Sequence, residues 1–173
     1  MLINVYAAQT VIVLAAGAAA LFAAPEGLRK VIRAWQLLVP PGLAVLAALV
    51  QVIYPSLQEL HQPEIWELAV IAAVVGVVRG QFMSLDVDHV WNVLRLPRAP
   101  EGLLVAIAMA LVAMIGVAEA ELFGPVRDPE APGFRVLIEI GMTMAAAFLV
   151  GRAGAAWFRV PHVPHQELVE PEV

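Results

Sequence analysis

Apolar residues in this chain fall into runs far longer than one face of a soluble helix would need, and the polar residues collect between the runs. Five runs stand out, at 2–24, 34–54, 63–82, 102–123 and 134–158. A helix needs about 20 predominantly apolar residues to cross the hydrocarbon core of a bilayer. The pattern therefore predicts an all-α integral membrane protein, a bundle of five transmembrane helices. The first two runs carry no charge. Pro25 and Gly27 are expected to break the first. Pro40 and Pro41 are expected to kink the second or to mark its true start, and Pro55 to end it. The third run is the exception. Only 68–78 is free of charge, so a full crossing takes in Glu64, Glu67 and Arg79, with Pro63 suited to the first turn. A re-entrant segment is the alternative there. The fourth run is clean until Glu119 and Glu121, and the fifth holds Glu139 near one end and Arg152 near the other.

Between the third and fourth runs the period changes. Residues 83–96 read MSLDVDHVWNVLRL, with Leu85 and Val87 alternating against Asp86 and Asp88. Two short strands turning near Asp88 and His89 fit that alternation, and an interfacial amphipathic helix is the competing form. Pro97 and Pro100 separate the segment from the fourth run. After the fifth run, the tail 161–173 is rich in proline, PHVPHQELVEPEV, and is expected to be extended and mobile. The division is thus one transmembrane domain, 1–160, and a tail.

Charge gives the runs a direction. Of the ten Lys and Arg residues, Arg29, Lys30, Arg33, Arg79, Arg95, Arg98, Arg152 and Arg159 lie at one set of ends, and only Arg127 and Arg135 at the other. Cationic ends stay in the cytoplasm, so the N-terminus is expected outside and the C-terminus inside. Tyr6, Tyr54 and Trp66 then fall near the outer interface, and Trp35 and Trp157 near the inner one. Residues 1–10 hold no Lys or Arg, so the first run lacks the positive n-region of a signal peptide and reads as an uncleaved span.

Composition agrees and narrows the chemistry. The chain is 61% hydrophobic and 14% charged, where soluble domains average about 45–50% and about 25%. It has no cysteine, which excludes disulfides, thiol nucleophiles and cysteine-held metal or iron–sulfur sites. The net charge of −5 and the lack of a basic patch interleaved with aromatics speak against nucleic acid as a partner. Arginine greatly outnumbers lysine and alanine and valine abound, the composition of a GC-rich bacterium, so the bacterial inner membrane is the expected location.

The stretch Gly76-Val-Val-Arg79-Gly80-Gln-Phe-Met83, followed by alternating residues to Asp88 and Trp91, resembles the signature of CcdC-like membrane proteins. These are small bacterial multi-span proteins of unknown function, some named for an association with cytochrome c biogenesis. The resemblance covers mainly 72–92. It implies a multi-span helical fold and singles out Arg79. It implies no reaction, because this chain has neither cysteines nor a CxxCH haem-attachment motif.

Ionisable residues inside spans are the candidates for function. Glu64 and Glu67 share a helix face at i,i+3, where like charges repel. Glu119 and Glu121 are two apart and point to different sides. Arg135 and Glu139, at i,i+4, can pair. Glu67 and Glu139, with Glu64 beside them, are therefore the candidates for an outer proton or cation site, and interfacial glutamates that snorkel or pair are the alternative. Arg79 and Arg152 are candidates for interhelical or anionic-lipid contacts. Small residues recur at helical spacing at Ala69, Ala73, Gly76 and Gly80, at Ala106, Ala110, Ala113 and Ala120, and at Ala147, Gly151 and Ala155. Such stripes let helices pack closely. The histidines all lie outside the runs, and Met109, Met114, Met142 and Met144 are expected to fill the core.

No Ser/His pair, HExxH motif or carboxylate dyad is present, so no enzyme activity, cofactor or metal is expected. Two function classes remain. One is an accessory, assembly or interaction subunit acting through helix packing, with membrane lipid as its solvent and as a homo-oligomer or part of a larger complex. The other is a small proton- or cation-coupled transporter or channel that uses the outer glutamates.

Overall fold

The computed structural model describes residues 2–28, 30–53, 63–96, 100–123 and 133–168. It is a helical bundle closed at one end by a small sheet. Helix α1 runs Leu2–Gly27 and is followed by strand β1, Val31–Arg33. A 3-10 turn, Ala34–Leu38, leads into α2, Val39–Ile53. Helix α3 spans Pro63–Gln81. Strands β2, Asp86–Asp88, and β3, Val93–Arg95, precede α4, Glu101–Phe123. Helix α5, Gly133–Arg159, ends in a 3-10 turn, Val160–His162.

Among the described residues, four helical stretches are long and apolar enough to cross a membrane: Ala7–Gly27, Ala34–Val52, Glu101–Glu119 and Val136–His162. Glu64, Glu67 and Arg79 keep α3 out of that group, although it is a continuous helix of 19 residues. Pro25 acts otherwise than a breaker would, whereas Pro40 and Pro41 mark the true start of their helix. Pro25 lies in the last turn of α1, and the helix continues to Gly27. Pro40 and Pro41 sit in the first turn of α2, where a missing N–H leaves no helical hydrogen bond unmade. The residues before them wind as the 3-10 turn, so the α-helix of the second run starts five residues later than the apolar pattern does.

Helix α5 is the axis of the bundle. It packs against α2, α3 and α4, while α1 packs against α2 and α4. The main core is built from small residues of four helices around a few large ones. Ala16 of α1, Ala44 and Ala47 of α2, Ala106 and Met109 of α4 and Met142 and Leu149 of α5 are all buried. Met114, by contrast, is exposed and does not fill that core. Helix α3 joins through α5 alone among the larger helix contacts.

The sheet is antiparallel, in the order β1-β3-β2, with Ile32 opposite Leu94 and Val87 opposite the same residue. The hairpin expected in 83–96 is thus present, and β1, from the segment after α1, adds a strand that the alternation did not reveal. Leu85, Val87, Leu94 and Leu96 turn inward onto Ala34, Leu37, Ala153 and Ala156. A second core therefore ties the sheet to the end of α5.

Candidate functional site

The functional groups gather where the sheet meets the bundle. The C-terminal ends of α1, α3 and α5 and the N-terminal end of α4 meet there, and the helices are held by paired charges. Arg152 of α5 donates through Nη1 to both carboxylate oxygens of Glu26 in α1, at 3.1 and 2.9 Å. Both side chains are more than nine-tenths buried. Its Nη2 points at the Met83 sulfur, 3.2 Å away. A buried ion pair forms only where geometry repays the desolvation of both ions. Gly102, in the first turn of α4, makes the room: a Cβ there would overlap Arg152 Nη1 and Glu26 Oε2. Arg152 was an expected interhelical or lipid contact, and its place is interhelical.

Arg79, at the end of α3, makes a two-pronged pair with Glu101 at the start of α4 through Nε and Nη2. Both groups are partly exposed. Arg159 completes the junction. Its Nη1 donates to the carbonyls of Gly80 at 3.0 Å and Met83 at 2.7 Å. These oxygens lie at and just beyond the end of α3, where helical carbonyls lack partners of their own.

The α3–α5 contact is made through glycine. A Cβ on Gly76 would overlap the Phe148 carbonyl, one on Gly80 the Arg152 carbonyl, and one on Gly151 the Ala73 carbonyl. From Gly76 to Gly80 the neighbour moves from Phe148 to Arg152, and Arg159 at the end of α5 reaches Gly80 and Met83 at the end of α3, so α3 and α5 run parallel toward the sheet. Ala155 is buried beside Gly80, and Ala147 is partly buried.

The acids expected to form an outer site are described only in part. Glu67 lies on the exposed face of α3 that also carries Ile71, Val74 and Val78. Glu139 is buried in α5, and its backbone carbonyl accepts the Thr143 hydroxyl at 2.7 Å. The side chains of Glu64 and Arg135 lie outside the described residues, so the pair proposed for Arg135 and Glu139 does too. Among the described residues no group of three or more His, Asp or Glu is placed to hold a metal ion.

The tail departs from expectation. Residues 163–168 are extended but lie against the hairpin. His165 bridges to Val87 in parallel, and Gln166 N donates to the Val87 carbonyl at 2.9 Å. His89 Nε2 meets the Val163 carbonyl at 2.9 Å. Asp88 is the anchor. Its Oδ1 accepts the N–H groups of Val90 and Trp91, closing the hairpin turn, and its Oδ2 accepts that of Leu168. Burial alone would raise the Asp88 carboxyl, but those three backbone donors and His165 outweigh it and hold the group below its usual range. Asn92 takes a positive φ of 52° to finish the turn, a conformation asparagine tolerates.

Sequence reasoning passed over Glu26 and Glu101. Glu26 follows a proline and reads as the start of a loop, and Glu101 precedes an apolar run. The one sequence signal for Glu26 was that a lone buried arginine on α5 requires an acid. Comparison with protein-family models, curated proteins and solved structures found no match.

Proposed function

We propose that this chain is a five-span protein of the bacterial inner membrane, N-terminus outside and C-terminus cytoplasmic, serving as a non-enzymatic accessory or assembly subunit. One observation carries the reading: five charged groups where the helices meet at the sheet end hold helices together. Glu26 pairs with Arg152, Glu101 with Arg79, and Arg159 with the end of α3. A transport path needs ionisable groups facing a wet cavity, whereas these are bound to one another or to a helix end. The parallel run of α3 with α5 supports a full crossing by α3, since alternate spans run in the same direction. Helix α3 leaves Val70, Ile71, Val74, Val75 and Val78 outward, a face suited to lipid or to another subunit. Multi-span form and Arg79 are also what the CcdC-like resemblance implies.

The transporter reading is favoured by one feature, the buried Glu139. The two readings separate in proteoliposomes. The accessory reading predicts proton and cation flux equal to that of empty liposomes, with native mass spectrometry showing a defined oligomer or complex from gently solubilised membranes. Flux above background that Glu139→Gln abolishes, with the protein a lone monomer, would overturn it.

A further inference from the structure

The outer edge of β2 is occupied, and its occupant shows what the edge recognises. Segment 163–168 contributes a carbonyl at Val163 to His89 Nε2, a bridge at His165, an N–H at Gln166 to the Val87 carbonyl and an N–H at Leu168 to Asp88 Oδ2. Leu168 is its one buried side chain, while Pro164 to Glu167 stay exposed. His165 Nδ1 also accepts the His89 N–H at 3.3 Å. Counted from the bridging residue, the requirements are a carbonyl at −2, a side-chain acceptor at the bridge, free N–H groups at +1 and +3, and an apolar side chain at +3.

We infer that the β2 edge is a strand-docking surface for an extended segment of another polypeptide with that pattern, and that residues 163–168 are its resident, exchangeable occupant. Main-chain hydrogen bonds give such an edge its affinity, and side-chain pockets its selectivity. Three features make the occupant exchangeable. Its hold is a short series of hydrogen bonds and one leucine. Pro161 and Pro164 have no N–H and cannot lengthen the pairing. The segment follows α5 through only the Val160–His162 turn, so its release leaves the bundle contacts in place. The partner's chemistry is that of the tail itself: extended, without proline at +1 or +3, and carrying leucine or a similar residue at +3. The inference stands on the sheet geometry and does not depend on the accessory reading.

Full-length protein in detergent with Gln166→Pro tests it, because the substitution deletes the N–H given to Val87 and frees the edge without shortening the chain. The probe is a fluorescent synthetic peptide of residues 161–173, followed by anisotropy. The variant is expected to bind it saturably and at least tenfold more tightly than the natural chain, whose tethered tail competes at an effective concentration on the order of millimolar. Adding Asp88→Ala, or using a peptide with aspartate in place of Leu168, is expected to cost at least tenfold. Should Gln166→Pro fail to fold, Leu168→Asp in the full chain opens the same edge. Equal binding by natural and opened proteins, or no saturable binding by an opened variant of native size and melting temperature, would overturn the proposal.

Discussion

At the residue scale the junction rests on a few side chains that cannot be replaced one partner at a time. Removing one partner of a buried ion pair leaves an uncompensated charge, at a cost of about 3–5 kcal/mol. Arg152→Met alone and Glu26→Gln alone should each lower the melting temperature in detergent sharply. The double variant should recover most of the loss, because two apolar or neutral groups need no partner. Singles and double that all melt with the natural chain would mean the pair is not formed. Glycine offers a second test. Gly151→Val or Gly80→Val should destabilise by about 1–3 kcal/mol through overpacking. Gly154→Ala, whose Cβ meets nothing within 4 Å, should be neutral or stabilise by roughly 0.5–1 kcal/mol. Thermal unfolding of the three variants gives the order. The glycines were legible as small residues at i,i+4 spacing within apolar runs. Glu26 was not, because its partner lies 126 residues away and no local pattern encodes so distant a contact.

At the element scale the hairpin and tail behave as one unit, with Asp88 as their common acceptor. The sign of its pH dependence follows from its depressed carboxyl. A carboxylate held below the usual value of about 3.9 stabilises the fold above that value and loses the contribution as pH falls through its own lower value. The groups facing it are the N–H donors of Val90, Trp91 and Leu168 and the imidazole of His165, 3.8 Å away. Hydrogen-exchange protection of the Leu168 amide should therefore hold above about pH 4 and fall below it. In Asp88→Asn, which keeps an acceptor but does not titrate, protection should not change across that range. Unchanged protection in the natural chain would show that the carboxylate does not hold the tail. The alternation of 85–88 made the hairpin readable. The three residues of β1 were too few for any period to show, and they pair with β3 sixty or more residues on. The tail was legible as extended. Its docking was not, since a strand edge that receives a single bridge leaves no mark on the peptide that fills it.

At the scale of the whole molecule the apolar runs made the helices readable, and their neighbours were not. Nothing in the runs says that α5 touches three other helices or that α3 touches chiefly one. That arrangement follows from where glycine lets backbones approach and where charges pair. It bears on the third run most of all. Helix α3 falls short of a spanning composition by its charges. Arg79 is met by Glu101 and lies at the sheet end, while Glu67 lies near the opposite end of the helix. Charges confined to the ends of a span cost far less than charges at its centre, which is why a helix with this composition can still cross.

The central claim is that all five helices cross and that sheet and tail share the cytoplasmic side with the arginines. The chain has no cysteine, so single cysteines report without background. Trp91→Cys in the hairpin turn, His165→Cys in the tail and Asp128→Cys between α4 and α5 can each be exposed to a membrane-impermeant thiol reagent on intact cells, and again after permeabilisation. Positions 91 and 165 should label only after permeabilisation, and position 128 on intact cells. Labelling of position 91 from outside, with 165 still protected, would place α3 and the hairpin on the wrong side and contradict the account.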